Sequence, residues 1–89
     1  MSLKDEIEAC LQQALSPSVL DLWDESDDHK GHAGAAAGGG HFHLIIVSEA
    51  FAGQARVGRH RLVYDAVKHL MHTRIHALSI DAKTPSESL

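Results

Sequence analysis

Residues 51–85 constrain the fold more than any other stretch, because the spacing of their apolar residues changes along the way. Between residues 62 and 71 the apolar side chains recur at helical spacing, which places one stripe of an amphipathic helix against a core. After a short break, Ile75–Lys83 is apolar and alternating, as expected of a strand. One face of that strand is predicted to carry His76, Leu78, Ile80 and Ala82. The sequence therefore predicts a helix that leads directly into a strand, with a histidine at the joint.

The first half of the chain supplies one more helix and two more strands. Apolar residues within Leu3–Leu15 lie on one helical stripe, and Ser2 with Asp5 makes a capping pair at its start. Residues 19–24 and 41–48 have the composition and alternation of strands. They are joined by a long connection, so we expect them to pair in an antiparallel sense.

Residues 27–40 differ in composition from the rest of the chain, with five glycines and four alanines among them. Such a segment has little to bury and is predicted to be a flexible loop. Further on, a short helical turn is predicted over residues 54–59, and the main helix is predicted to begin near His60. Residues 84–87 carry the capping signals of a last helix, which we expect to be truncated or barely formed. The predicted order is α-β-β-α-α-β with a C-terminal helical stub.

Composition and charge place the chain, as one domain over residues 1–89, among ordinary globular proteins. The formal net charge of −4 argues against a protein that coats nucleic acid with its whole surface. No apolar run is long enough to cross a bilayer, and the start does not resemble a targeting segment. The single Cys10 lies in the apolar stripe of the first helix and is interpreted as a buried small hydrophobe in a reducing compartment. The expected location is the cytoplasm.

Eight histidines in 89 residues are the compositional outlier. A lone histidine at a strand start is as often a structural residue as a ligand. His69 and His72 are spaced i, i+3 on the predicted helix, which suits metal chelation but more often means a solvated face. His60 is assigned to capping or packing of the main helix, and no role is assigned to His41 and His43 on the second strand.

Four segments, in this order, resemble the BolA family: LSPSVLDLWDES, HFHLIIVSEAF, FAGQARVGRHRLVYDAV and IHALSIDAKTP. The resemblance covers residues 15–85, which is most of the chain. It implies an α+β, KH-like fold of type II, with a three-stranded mixed sheet and helices packed on one face. KH domains that bind RNA clamp its backbone with a G-x-x-G loop between two helices. Here that position reads Gly53-Gln54-Ala55-Arg56, and the only G-x-x-G is residues 31–34, which argues against an RNA clamp.

The same resemblance implies a function and a ligand set. It implies an adaptor that binds a monothiol glutaredoxin and shares a bridging 2Fe-2S cluster with it, in iron-sulfur trafficking or iron and redox regulation. The family's ligand histidine falls on His76 and its loop ligand on His29, with His32 as the rival. A glutaredoxin cysteine and a glutathione thiolate complete the set, and imidazole is a suitable iron ligand. Alone, the chain is expected to be a monomer or a weak homodimer.

The alternative function is DNA binding, since several BolA-like proteins are described as transcriptional regulators. The residues that would contact phosphates are Arg56, Arg59, Arg61 and Lys68. Few aromatic residues and a net negative charge oppose this reading, so binding should be weak and steeply salt-dependent. An enzyme is the least expected class, because no nucleophile–base–acid set, phosphate loop or closed metal ligand set is recognisable in the sequence.

Overall fold

The computed structural model of the chain describes residues 2–25 and 40–89. Its helices and strands are α1 (Leu3–Leu15), β1 (Val19–Asp24), β2 (Gly40–Val47), α2 (Arg56–Val67) and β3 (Ile75–Lys83). A single 3-10 turn, Glu49–Phe51, lies between β2 and α2. The predicted order of elements is confirmed, with the short helical turn at Glu49–Phe51 rather than at residues 54–59. The loop predicted at residues 27–40, with His29 and His32, lies outside the described residues except for Gly40, which begins β2.

The first helix forms as its sequence predicts. The Ser2 hydroxyl accepts a hydrogen bond from the Asp5 backbone N–H at 3.1 Å, and the Asp5 carboxylate accepts one from the Ser2 N–H. This reciprocal capping box satisfies two backbone donors that the first helical turn leaves without partners. Ile7, Leu11 and Leu15, four residues apart, are buried. The helix therefore presents one apolar stripe to the core.

The second helix is displaced toward the N-terminus relative to its prediction. Ala55 is extended (φ −72°, ψ 168°) and acts as the N-cap, so α2 begins at Arg56 rather than near His60. It ends at Val67, although the apolar pattern continues to Met71. The N–H groups of Ile75 and Arg74 both bond to the carbonyl of Leu70, so the chain turns there with Leu70 still buried. Because the apolar Leu70 lies in this tight turn, the apolar spacing of the sequence continues beyond the last residue of the helix.

The sheet has the order β1-β2-β3, with β1 antiparallel and β3 parallel to the central β2. Leu22 pairs with Leu44 and Leu44 with Ile80, so these side chains lie on the same face. That face joins the apolar stripes of both helices in one core whose buried members include Ile7, Leu11, Leu22, Phe42, Leu44, Ile46, Phe51, Val63, Val67 and Leu78. On the opposite face Val19 and Trp23 are exposed. The mixed sheet with helices on one side is therefore as the family resemblance implies.

After β3 the chain closes with one hydrogen-bonded turn. The N–H groups of Glu87 and Ser88 bond to the Thr84 carbonyl, and the Glu87 carboxylate accepts the Thr84 N–H at 2.8 Å. The capping signals in the sequence thus form their bonds around a single turn, as expected for a barely formed stub. No helix among the described residues is long and apolar enough to span a membrane.

Candidate metal centre

His76 lies at an irregularity in the pairing of β2 and β3. Gly40 pairs with Ile75 but His41 pairs with Ala77, so one step along β2 corresponds to two along β3. His76 is the extra residue of this β-bulge, a feature that redirects a side chain. The prediction that His76 shares the face of Leu78, Ile80 and Ala82 is wrong, because the bulge interrupts the alternation. Leu78 is buried against the core, whereas His76 is exposed.

The redirected imidazole lies against a second histidine. The ring centroids of His76 and His41 are 4.9 Å apart, and the ring planes are tilted by 33°. His41 precedes the buried Phe42, so it lies on the face of β2 opposite to the core. Sequence reasoning assigned His41 no role. No local signal in the sequence marks this contact, because it depends on the parallel pairing that sets the beginnings of β2 and β3 side by side.

Backbone hydrogen bonds fix the strand ends around these two rings. The Glu25 N–H donates to the His41 carbonyl at 2.7 Å, and the Gly40 N–H donates to the Arg74 carbonyl at 2.8 Å. Glu25 and Gly40 are also the residues on either side of residues 26–39. Both ends of the segment that carries His29 and His32 therefore join the sheet beside the histidine pair.

The pair can contribute part of a metal site. Imidazole nitrogen is a suitable ligand for iron, zinc, copper and nickel. Among residues 2–25 and 40–89, no group of three or more His, Cys, Asp and Glu side chains is arranged to hold a metal ion. The remaining ligands must therefore come from the rest of the chain, from a partner or from water. The two imidazoles can therefore supply two ligands of a metal site but do not complete it.

The other described histidines occupy different places. The ring of His43 lies 5.6 Å from that of Trp23 on the exposed face of the sheet. His69 Nε2 lies 3.7 Å from the Cys10 Sγ. Cys10 packs against the core but is only partly buried, rather than buried as interpreted from the sequence. His72 has a positive φ of 66° in the turn after α2. The expected i, i+3 arrangement of His69 and His72 on a helix is not present, because α2 ends before either residue.

Among the four basic residues predicted to contact phosphates, Arg59 departs most from that prediction. Its Nε donates to the Gln54 carbonyl at 2.9 Å and its Nη1 to the Ala82 carbonyl at 3.1 Å. Both Nη atoms also bond to the Glu87 carboxylate, a bidentate ion pair. The Arg59 side chain is only 15% exposed. It ties α2 to β3 and the C-terminal turn, and sequence reasoning missed Glu87 as its partner.

The ion pair shifts the ionisation of its carboxylate. Hydrogen bonds from Arg59, and next from the Thr84 backbone N–H, lower the pKa of Glu87 to about 2. Bonding to Glu87 in turn raises the pKa of Arg59. The other three basic candidates, Arg56, Arg61 and Lys68, are exposed. Arg56 also lines an open groove between the start of α2 and the end of β3, together with His60 and Lys83.

Comparison with known proteins decides the family. The family model described as BolA-like protein matches residues 11–87, nearly the whole chain. This chain belongs to the BolA family. The segments that resemble that family in the sequence therefore identify it correctly.

Relatives and solved structures of the BolA family agree with this assignment. The chain is 46% identical over 81 residues to BolA-like protein 1 of Mus musculus, covering 91% of this chain and 57% of that protein. It is 33% identical over 87 residues to the DNA-binding transcriptional regulator BolA of Escherichia coli, covering 98% and 80%. The structure of BolA1 from Arabidopsis thaliana superimposes with a TM-score of 0.86 at 41% identity, covering 100% and 98%. The chain thus spans little more than half the length of some curated relatives it matches.

Proposed function

We propose that this BolA-like chain is a non-catalytic adaptor that binds a monothiol glutaredoxin and co-ligates a bridging 2Fe-2S cluster. Its role would lie in iron-sulfur trafficking or iron and redox regulation. The observation that carries the proposal is the exposed His76, which a β-bulge turns away from the core at the start of β3. An imidazole in this position is accessible to a metal centre that a second protein presents.

The positions of Glu25 and Gly40 near His76 support a metal ligand from residues 26–39. Glu25 bonds to the His41 backbone, next to the His76 ring. Chain length alone keeps the Cα of His29, four residues after Glu25, within about 14 Å of the Glu25 Cα. His29 can therefore serve as the second imidazole ligand, and His32 is its rival.

The donor set that follows combines two proteins. His76 and His29 would bind one iron, while the glutaredoxin cysteine and a glutathione thiolate would bind the other. When bound, the cluster supplies a one-electron redox centre and a cargo for delivery, and histidine ligation of one iron raises its reduction potential. The chain's own part is to hold His76 at the start of β3 and to supply a second ligand from residues 26–39.

Co-purification tests the partner and the cluster together. The tagged chain is co-expressed with a monothiol glutaredoxin, and the purified material is examined for brown colour, iron and acid-labile sulfide. The proposal predicts a heterocomplex that contains one 2Fe-2S cluster. A colourless preparation, or a glutaredoxin that elutes separately with all of the iron, would contradict it.

DNA binding is the second candidate, because the Escherichia coli relative is named as a DNA-binding regulator. Arg56 and Arg61 are exposed on α2 and available to phosphates, whereas Arg59 is held by Glu87. A labelled duplex titrated at two salt concentrations should lose affinity for the Arg56→Gln/Arg61→Gln protein if α2 binds DNA. Lys4→Gln, on the exposed side of α1, is the control. Absence of binding at low salt would exclude this candidate.

A further inference from the structure

The contact between the His41 and His76 rings carries an inference that does not depend on the iron-sulfur cluster. We propose that these two residues form a site for a divalent transition-metal ion, with zinc as the model ligand, in the free protein. The site shares His76 with the proposed function, but it requires neither glutaredoxin nor the histidines of residues 26–39. It assigns a ligand role to His41, whose neighbour on the same face of β2 is His43.

The separation of the rings is compatible with chelation. Two imidazole nitrogens bound to one tetrahedral zinc ion, each at about 2.0–2.1 Å, lie roughly 3.3 Å apart. The centroids of His41 and His76 are 4.9 Å apart, a separation compatible with ring nitrogens at that spacing. His76 is exposed, so an ion held there is open to solvent and water can fill the other coordination positions.

The backbone holds both ligands in place before an ion arrives. β2 is the central strand, paired on both sides, and His41 lies opposite Ala77 next to the bulge. The Glu25 N–H bonds to the His41 carbonyl and fixes that end of the strand from the other side. Two ligands on adjacent hydrogen-bonded strands lose little freedom on binding, which favours chelation by the pair over binding to single histidines.

The other described histidines provide internal comparisons. His43 lies two residues along the same face of β2, but its ring neighbour is Trp23, which offers no ligand suited to zinc. His69 has the Cys10 thiol at 3.7 Å and can bind zinc separately. A useful measurement must therefore report each ring individually rather than total metal bound.

Nuclear magnetic resonance of histidine rings, labelled with carbon-13, gives that resolution. Zinc chloride alone is titrated into the His29→Ala/His32→Ala protein. We expect the ring signals of His41 and His76 to shift together along one binding curve, and His43 to remain unchanged. Adding His76→Ala should weaken the zinc response of His41 by about 100-fold, the gain expected from linking two ligands, and His41→Ala should do the same to His76. The response of His69 should be the same in all variants.

Two results would overturn the site. One is a zinc affinity, measured at the His41 ring, that is unchanged by His76→Ala. The other is the absence of any zinc response at the His41 and His76 rings while the His69 ring responds. Backbone amide spectra verify that each variant is folded, and His76→Asn serves as a second replacement of the exposed ring. Because iron and glutaredoxin are absent, failure here leaves the cluster proposal untouched. Failure of cluster assembly likewise leaves the zinc site untouched.

Discussion

His76 lies at the start of a strand of the sheet without contributing to its core. Its neighbours Ile75 and Ala77 are held by the parallel pairing of β2 and β3, and its own side chain is exposed. The ring contacts His41 and is not part of the apolar core. At the residue scale, this exposure outside the core supports the ligand role proposed for His76.

Removing the His76 ring should therefore cost little stability. We expect His76→Ala to change the free energy of unfolding by no more than about 0.5 kcal/mol, as for other exposed substitutions. Phe51→Ala, which removes a fully buried ring, should cost about 3–5 kcal/mol. Urea unfolding of both variants measures the two values. A loss for His76→Ala close to that of Phe51→Ala would show that the histidine is structural.

The identity of His76 as a candidate ligand could be predicted from its family segment, but its surroundings could not. Alternation along β3 predicts the wrong face, because a bulge depends on how β3 registers with β2 and leaves no mark in the local sequence. The same register brings His41 to His76 from a point far away in the chain. Local patterns report periodicity within an element, whereas this contact arises between two elements.

At the scale of elements, Arg59 connects three parts of the fold. Its guanidinium bonds to the Gln54 carbonyl before α2, to the Ala82 carbonyl in β3 and to Glu87 in the C-terminal turn. A basic residue in a cationic segment predicts a nucleic-acid contact, but Arg59 instead bonds to groups of its own chain. The partner could not be predicted, because Glu87 is distant in sequence and lies in a turn that is too short to recognise as a helix.

The Arg59–Glu87 pair makes stability depend on pH in a defined window. The pKa of Glu87 falls from its ordinary value of 4.5 to about 2 on folding, so the unfolded chain binds more protons between these values. The pair's contribution is therefore complete above about pH 4.5 and is lost as the pH falls toward 2. Glu87→Gln should be less stable than the natural chain at pH 7, with the difference shrinking across that window.

Urea unfolding at a series of pH values measures this difference. Glu49→Gln, which removes an exposed carboxylate in the 3-10 turn, is the matched control. A difference between the natural chain and Glu87→Gln that stays constant from pH 7 to pH 2 would contradict the ion pair.

At the scale of the whole molecule, the candidate centre is assembled from three separate parts of the chain. Glu25 ends the first part, Gly40 and His41 begin the second, and Ile75 and His76 begin the third. The fold class, the mixed sheet and the order of elements could be predicted from periodicity and from the family segments. That these three parts of the chain meet could not be predicted, because it depends on the register of the complete sheet.

Visible circular dichroism of the complex tests the central claim most directly. The chain, a monothiol glutaredoxin and glutathione are reconstituted with iron and sulfide, and the natural chain is compared with His76→Ala. His72→Ala, which removes a histidine in the exposed turn after α2, is the matched control, and His29→Ala and His32→Ala compare the two rival ligands. The account predicts that His76→Ala changes the cluster bands while His72→Ala reproduces the natural spectrum. A spectrum that is the same for the natural chain, His76→Ala and His29→Ala would contradict it.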